Sequence, residues 1–563
     1  MWNRRATCWL LLVGSMAACG SDEQASPAGT GGTGGAGGSG GPTTSSISQN
    51  GVTWTFDRPY EYGTYANGDF WVKGPVVITS ITPAVTAKLE NLGAGICAGG
   101  YTSRDCTDAC AAKFPDMAAL CSVSQEPDSQ GDCLCMSGRN GWQVNPAAGR
   151  VTSAFDSRVG SMAFDSRLIP ALPYTAKPGE SLVKGVSREE GLTDNRPSLK
   201  TATVLTVVGE TPPDAGATVF RPPYVGADKP HYKVSALKTD LLPSLPAVAD
   251  MPSWKEVEDL VRLVQLEHIA GAPGSIIRPQ DHLYYYAPEN GGRRATVALR
   301  LMIDEPMQNR MPALIYYVQG GIDMLYALKN GQVWGAGGGE YPGMKLIMLF
   351  AGVMLGEQGL VDLVRGFTAY EDESVFFGKS QQGLWGHVNG YHEQQEAYWS
   401  DVVNEIIPGK EPSRKTNRDP YGYIDGGIVP GTGYQICCSI QSFKGTSLVM
   451  QLMPQLKQLW ELPALHDYVD RMVEHGALAQ PDPCAPPDKA DIAAGIGIDD
   501  PGTHYGITYG PDGNGGCIPD TDPSDGTGRF PELDGTEKDP RSYHGSSALV
   551  HAMWAAYRAS AGK

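Results

Sequence analysis

From residue 280 onwards, four loops are rich in aromatic, imidazole, amide and guanidinium side chains. The densest runs from Trp385 to Glu393 and contains His387, Asn389, Tyr391 and His392, although the whole chain has only 10 histidines. The other loops contribute His282 and Tyr285, then Glu340, and then Arg418 and Tyr423. Aromatic faces stack on sugar rings, and amide and guanidinium groups bind hydroxyl and carboxylate groups. These loops therefore favour contact with a sugar polymer.

Tyrosine, histidine and asparagine together predict one reaction on such a polymer, the β-elimination of a polyuronate. The C5 proton lies beside the C6 carboxylate and is very weakly acidic, so an amide, a guanidinium or a protonated imidazole must neutralise that carboxylate. A base must remove the proton and an acid must protonate the departing O4, and tyrosine or histidine can do either. This chemistry requires no metal or other cofactor.

Each of these residues also has a purely structural interpretation. The Tyr284–Tyr286 run is equally typical of a packed loop. His392 can pair with Glu396 one helical turn away. Asn389 precedes a glycine, a pair that signals a turn by itself, and Glu340 follows three glycines in what is otherwise an ordinary loop.

Two other functions compete with elimination. A glycoside hydrolase would need two carboxylates across the sugar, for which Glu340, Asp281, Glu393 and Asp425 are the candidates. A non-catalytic glycan-binding protein would use the aromatic residues for stacking alone.

The N-terminus predicts export. Arg4 and Arg5 precede a short apolar stretch, and small residues then lead to Cys19. This pattern is typical of a secretory signal, and Met16-Ala17-Ala18-Cys19 resembles the lipobox of bacterial lipoproteins. The resemblance implies that residues 1–19 form the signal, that Cys19 carries lipid and that residues 20–48 are a flexible tether. A membrane, with a preference for the outer one, is thus an expected partner.

The composition of the chain limits the classes of ligand and the kinds of cross-link that we expect. The chain has 563 residues and a net charge of -18, so nucleic-acid binding is not expected. Six cysteines cluster at 97–135 and four more lie at 437, 438, 484 and 517, which in an exported protein predicts disulfides, with zinc as the alternative for the first group. Asp520, Asp522 and Asp525 could hold a structural calcium ion, although a solvated acidic loop explains them as well.

Hydrophobic patterning predicts two structural regions. We expect a β-sandwich-like domain at 50–225, with a disulfide-rich insertion at 95–137, and a mainly α-helical region at 250–563. Strands are predicted at 52–56, 70–72, 76–81 and 201–208. Helices are predicted after a capping box at Ser253 and at 294–303, 311–328 (interrupted at Gly320-Gly321), 345–355, 360–364, 392–406, 446–460 (kinked at Pro454), 464–474 and 546–559.

The last helices carry a family resemblance. The segments 446–453, 457–460 and 467–471 look like the late helices of (α/α)-toroid polysaccharide lyases, a group that includes alginate lyases. The resemblance implies a toroid-like catalytic domain acting on an acidic polysaccharide without a metal. One departure is that the β domain here precedes the helices.

The same resemblance implies roles by residue type. Tyr391 or Tyr285 would serve as base or acid, and His387 or His392 as base or neutralising group. Asn389 would neutralise the substrate carboxylate and Arg418 would clamp it. Tyr423, Trp385, Glu340 and His282 would bind the remaining sugar surface.

Replacing Tyr391 by phenylalanine or His387 by alanine is therefore expected to abolish turnover without unfolding the protein. Ultraviolet absorbance of the unsaturated product measures the turnover, and circular dichroism checks the fold. Near-native turnover in both variants would exclude this pair from the site.

Overall fold

A computed structural model of the protein describes most of the N-terminal half and the main helices of the C-terminal half. The described residues are 41–94, 104–113, 119–123, 127–157, 164–189, 198–269, 277–282, 287–334, 341–369, 371–372, 440–462, 465–466, 469 and 547–561. They belong to one compact unit that begins at Gly41.

The N-terminal region is a curled, mixed β-sheet. The described residues of this region form eleven strands: β1 (Thr43–Gln49), β2 (Val52–Thr64), β3 (Phe70–Lys73), β4 (Val76–Thr82), β5 (Thr86–Ala94), β6 (Ala119–Val123), β7 (Asp132–Arg139), β8 (Trp142–Val144), β9 (Tyr174–Ala176), β10 (Ser181–Ser187) and β11 (Leu199–Val208). Eight of them form the main sheet in the order β8-β10-β11-β3-β2-β4-β9, with β1 also paired to β2. The pairing of β11 with β3 is parallel. All four predicted strands are confirmed.

The first hairpin illustrates how the sequence encodes this sheet. Asn50 and Gly51 form the two-residue loop between β1 and β2, with φ values of 50° and 76°. Asparagine and glycine tolerate this left-handed backbone, which matches the twist of a hairpin. Along β2, Val52, Trp54 and Phe56 are buried while the threonines between them are less so, as the alternating sequence predicts.

The cysteine-rich insertion is a small sheet stapled to a helix. Strands β5, β7 and β6 pair in that order, and helix α1 (Arg104–Lys113) lies against them. Disulfides join Cys106 to Cys133 and Cys110 to Cys135, so both link α1 to β7. Disulfides within the insertion are thus confirmed. The unit includes β5, and therefore starts before the predicted boundary at residue 95. Cys97 and the four later cysteines lie outside the described residues.

Helices follow the sheet. They are α2 (Trp254–Asp259), α3 (Ala287–Leu301), α4 (Met307–Lys329), α5 (Met344–Leu355), α6 (Gln358–Arg365), α7 (Ile440–Leu452), α8 (Pro454–Trp460) and α9 (Ala548–Tyr557). The capping box at Ser253 and the break at Pro454 are confirmed. The predicted helix 392–406 lies outside the described residues. In the part of the chain that the structure describes, no helix has both the length and the apolar character needed to cross a bilayer.

The predicted interruption at Gly320-Gly321 is wrong, because α4 runs through both glycines. A Cβ atom on Gly321 would lie 2.3 Å from the Cβ of Ala351 in α5. Glycine is therefore present so that the two helices can approach closely, and packing outweighs its low helix propensity.

The sheet and the helices share the largest hydrophobic core. Phe155, Val183 and Val204 on one face of the sheet pack in the same cluster as the inner sides of α3, α4 and α5. The opposite face encloses a second core around Trp54 and Trp142, whose rings meet edge to face at 6.0 Å. Of the helices, α3 contacts α4, α7 and α9, while α5 contacts α4, α6 and α8.

A buried ion triad joins the sheet to the helices. The Arg221 guanidinium lies 2.6 Å from Asp69, in the turn before β3, and 2.5 Å from Asp323 on α4. All three side chains are largely shielded from water. Since an isolated buried charge is costly, each member stabilises the fold only while the others are present.

Replacing Arg221 by methionine should lower the free energy of unfolding by about 3–5 kcal/mol, because two carboxylates lose their buried cation. Urea denaturation of the full chain measures the loss. The matched control is Lys255→Met, which removes an exposed pair with Asp259 and should cost less than about 1 kcal/mol. Equal losses in the two variants would show that the triad does not stabilise the fold.

Candidate functional site

Of the residues predicted from sequence for catalysis or binding, the structure describes His282 and the hydrolase candidate Asp281, which is exposed and whose N–H donates to the Lys200 carbonyl at 2.8 Å. The His282 ring is buried: Nδ1 lies 2.5 Å from the Val264 carbonyl, and Nε2 lies 2.8 Å from Thr201 Oγ1 and accepts from the Ala202 N–H at 3.3 Å. Burial lowers its pKa to about 4, so the ring is neutral. Both nitrogens are used within the protein, and His282 therefore joins the Val264 segment to β11 instead of facing a cavity.

The remaining predicted positions lie outside the described residues. They are Tyr285, Glu340, Trp385, His387, Asn389, Tyr391, His392, Arg418 and Tyr423, together with Cys19 and the three aspartates at 520, 522 and 525. Their roles remain predictions.

Five described side chains form a buried polar cluster within the helical region: Glu267, Arg278, Asn290, Arg294 and Glu371. Each is at most 3% exposed. In sequence, the cluster adjoins the predicted loops, since Arg278 precedes the loop at 280–286, Asn290 follows it, and Glu371 precedes the long stretch that contains Trp385 to Arg418.

Glu267 connects the two arginines. Arg278 donates to its Oε2 at 2.6 Å, and the Arg294 guanidinium lies 3.6 Å from its Oε1. Arg294 also donates to the Gln265 side chain at 3.0 Å and to the Pro342 carbonyl at 3.0 Å. Burial lowers the pKa of Arg294 to about 10, which still leaves it charged at neutral pH.

Two glycines bring the elements of the cluster together. A Cβ atom on Gly343, whose φ is 80°, would lie 3.0 Å from the Cα of Gly291 and 3.3 Å from the Arg294 Cδ. Gly343 caps the N-terminus of α5, and Gly291 is the fifth residue of α3. The N-terminus of α5 therefore meets α3 beside Arg294, and helix N-termini attract negative charge.

Asn290, which precedes Gly291, and Glu371 both have polar atoms that no described residue bonds. Neither amide atom of Asn290 has a hydrogen-bond partner in that part of the chain. Glu371 Oε1 accepts from the Gly343 N–H at 2.7 Å, while its Oε2 has no partner among the described residues. Because buried polar groups are normally paired, unpaired ones mark a place where a ligand or an ordered water fits.

Burial raises the pKa of Glu371 to about 7, and the neighbouring Asp372 adds to the shift while the Gly343 N–H opposes it. Asp372 itself is fixed, since it accepts from Lys345 at 2.8 Å and from the Trp460 indole at 2.7 Å. Glu371 therefore exchanges a proton near neutral pH from a fixed position, which suits a general acid or base.

The segment that contains Glu267 is held from both sides. The Tyr224 phenol accepts from the Glu267 N–H at 3.0 Å, and the Gln332 amide donates to the carbonyls of Glu267 and Ile269 at 2.7 and 2.6 Å. His282 fixes the same segment at Val264. The backbone is thus anchored before and after Glu267.

The charges of the cluster favour an anion. While Glu371 is protonated, two guanidinium groups face the single carboxylate of Glu267. The N-terminus of α5 adds partial positive charge beside Arg294. These charges are complementary to the charge of a carboxylate.

Sequence reasoning missed every member of the cluster. The available signal was Asn290-Gly291-Gly292-Arg293-Arg294, because two glycines inside a helix cost stability and indicate close approach of another element. For Glu267, Arg278 and Glu371 no local signal existed, because their importance comes from long-range contacts.

Searches against protein-family models, curated proteins and solved structures gave no match for this chain.

Replacing Glu371 by glutamine should change how stability depends on pH. In the native protein the folded state keeps the Glu371 proton up to about pH 7, whereas the unfolded chain releases it near pH 4.5. The wild type should therefore lose stability as the pH rises between these values, and Glu371→Gln should lose less.

Thermal unfolding of both proteins across this pH range measures the difference. The control is Glu357→Gln at an exposed glutamate, which should follow the wild type. Parallel curves for Glu371→Gln and the wild type would show that Glu371 is not protonated on folding.

Proposed function

We propose that this protein is a polysaccharide lyase that cleaves a uronic-acid-containing polysaccharide by β-elimination. The observation that carries the proposal is the buried cluster in which two guanidinium groups contact Glu267 and the Glu371 carboxyl, with a pKa of about 7, lies close enough to Arg294 to influence its charge. The Asn290 amide in the same helix as Arg294 has no hydrogen-bond partner among the described residues. A polyuronate supplies the matching groups, a carboxylate and an adjacent weakly acidic proton.

In the proposed reaction, Arg294 and Asn290 bind the C6 carboxylate of the substrate and stabilise the enolate that forms there. The ionised Glu371 takes the C5 proton. The electron pair of that C–H bond forms the C4=C5 double bond, and the C4–O4 bond breaks with its electron pair moving to O4. A proton then reaches O4 from an acid, for which Tyr391 or Tyr285 remains the sequence-based candidate. No water is consumed.

We also propose the finer architecture and location suggested by the sequence. The helices would form part of an (α/α) toroid, and the curled sheet would close in a sandwich-like manner. Packing of α3 on α4, α4 on α5 and α5 on α6 supports a serial helical array. The lipobox-like Met16–Cys19 run and the tether support export and lipid anchoring, with the outer membrane preferred.

A glycoside hydrolase is the second candidate, and one observation favours it. Glu267 and Glu371 are two carboxyl groups near the same guanidinium, that of Arg294. Such a pair could act as acid and nucleophile or base across a glycosidic bond. Glu267, however, is engaged by Arg278 at 2.6 Å, which leaves it poorly placed to attack a sugar.

In the test, the full-length protein in detergent is incubated with each member of a panel of alginate, glucuronan, pectate and glycosaminoglycans. Elimination creates a conjugated double bond, so ultraviolet absorbance should rise on one polymer. Glu371→Gln should lower kcat by about 100-fold or more, since general acid–base catalysis contributes about 10²–10⁴-fold. Arg294→Met should lower kcat as well, because the enolate loses a neutralising cation.

Glu357→Gln serves as the control and should leave turnover unchanged. New reducing ends without ultraviolet absorbance would identify a hydrolase instead. Polymer binding without either product would leave a glycan-binding protein, and full activity of Glu371→Gln would exclude Glu371 as the base.

A further inference from the structure

A second cleft lies beside the end of β11, away from the buried polar cluster. It is lined by Gly179, by residues 206–213 and by Pro222, Lys229 and His231, and its cavity volume is about 310 Å³. This volume is at the lower end of the range of small-ligand sites. We call it the β11 cleft.

Thr206 provides a polar group at the base of the β11 cleft. The side chain is 2% exposed, and its hydroxyl makes no hydrogen bond of normal geometry in the described part of the chain, although the Tyr65 phenol is close by. Its cross-strand neighbour, Ser181, is also fully buried and has a hydroxyl without a partner. Buried hydroxyls of this kind are expected to bond a ligand or an ordered water.

Lys229 provides a cation at the same place. Its ammonium donates to the carbonyls of Pro223 at 2.7 Å and Val225 at 3.3 Å, so within the described ranges one of its three protons has no acceptor. Burial lowers its pKa to about 7, and the nearby Arg221 adds to this shift. The closest acidic neighbour in sequence, Asp228, is paired with Lys329 at 2.7 Å. An anionic ligand group would therefore stabilise the charged form of Lys229.

The walls of the β11 cleft suit a sugar ring. The His231 imidazole is stacked on Tyr65, with ring centroids 6.2 Å apart and planes 28° from parallel. The exposed Pro213 supplies apolar surface that can contact the C–H face of a pyranose. Glu210 also lines the cleft; it is exposed, and its carboxylate can accept hydrogen bonds from sugar hydroxyls.

We infer that the β11 cleft binds a uronate unit of an acidic glycan. The carboxylate would accept from Lys229, sugar hydroxyls would bond Thr206 and Glu210, and the ring face would contact His231 and Pro213. The inference rests on the proposed function for the nature of the glycan. It adds a second, non-catalytic binding site on the sheet, which would hold a polymer while another part of it occupies the buried polar cluster.

The test uses calorimetric titration of the full-length Glu371→Gln protein in detergent, in which binding is separated from turnover. The probes are trimannuronate, trigalacturonate and neutral cellotriose. An acidic trimer should occupy two sites per chain. Adding Lys229→Met or His231→Ala should weaken one of them by about 10-fold, the loss expected for one charge-assisted hydrogen bond or ring contact.

His231 is exposed, so its replacement preserves the fold even if Lys229→Met does not. Lys233→Ala, at an exposed lysine outside the cleft, is the control and should bind like the parent. Three results would overturn the inference: no acidic trimer binds, both cleft variants bind like the parent, or cellotriose binds the cleft as tightly as the acidic trimers.

The experiments distinguish a failure of the β11 cleft inference from a failure of the lyase proposal. Binding that depends on Lys229, with no elimination product from the wild type on any polymer, would support the cleft and reject the lyase. Elimination by the wild type, with trimer binding unaffected by the cleft variants, would support the lyase and reject the β11 cleft as a binding site.

Discussion

The structure depends on the burial of Arg221 between Asp69 and Asp323. One carboxylate belongs to the turn before β3 and the other to α4, so the guanidinium fixes the sheet against the longest described helix. Hydrophobic packing between the two elements is extensive but not directional. The ion triad is directional, because a displacement of the helix along the sheet would leave a buried charge without its partner. It thereby sets the relative position from which the rest of the helical region is built.

A short series of contacts connects the ion triad to the buried polar cluster. Arg221 lies beside Tyr224, with its guanidinium carbon 6.0 Å from the ring centroid. The Tyr224 phenol accepts from the Glu267 N–H, and Glu267 in turn orients Arg278 and Arg294. His282 connects the same segment to β11 through Thr201 and Ala202. His282, which the sequence suggested as a sugar ligand, thus helps to hold the backbone segment that contains Glu267.

Features that depend on neighbouring residues could be predicted from the sequence, whereas contacts between residues far apart in the chain could not. Alternation in Val52–Phe56, the capping box at Ser253 and the break at Pro454 each concern neighbouring residues, and each was predicted correctly. Gly320-Gly321 was misread because propensity suggested a break, whereas the contact with Ala351 on another helix requires glycine. Glu371 could not be recognised for the same reason, since its raised pKa comes from burial among elements that are far apart in sequence.

The position of the cluster also bears on the role of the sheet. The change in composition between residues 225 and 250 suggested a boundary between a β domain and a catalytic domain. In the structure, Phe155, Val183 and Val204 of the β region share one core with α3, α4 and α5, and the backbone around Glu267 is anchored by Tyr224 and by β11. Hydrogen bonds of His282 thus connect β11 to Val264, three residues before Glu267. Since β11 also borders the cleft that holds Lys229, one strand lies between the two proposed glycan sites. The β region precedes the helices in the chain, but it is not a separate accessory domain. Its strands form part of the framework that holds Arg278 and Arg294 beside the buried carboxylate of Glu267.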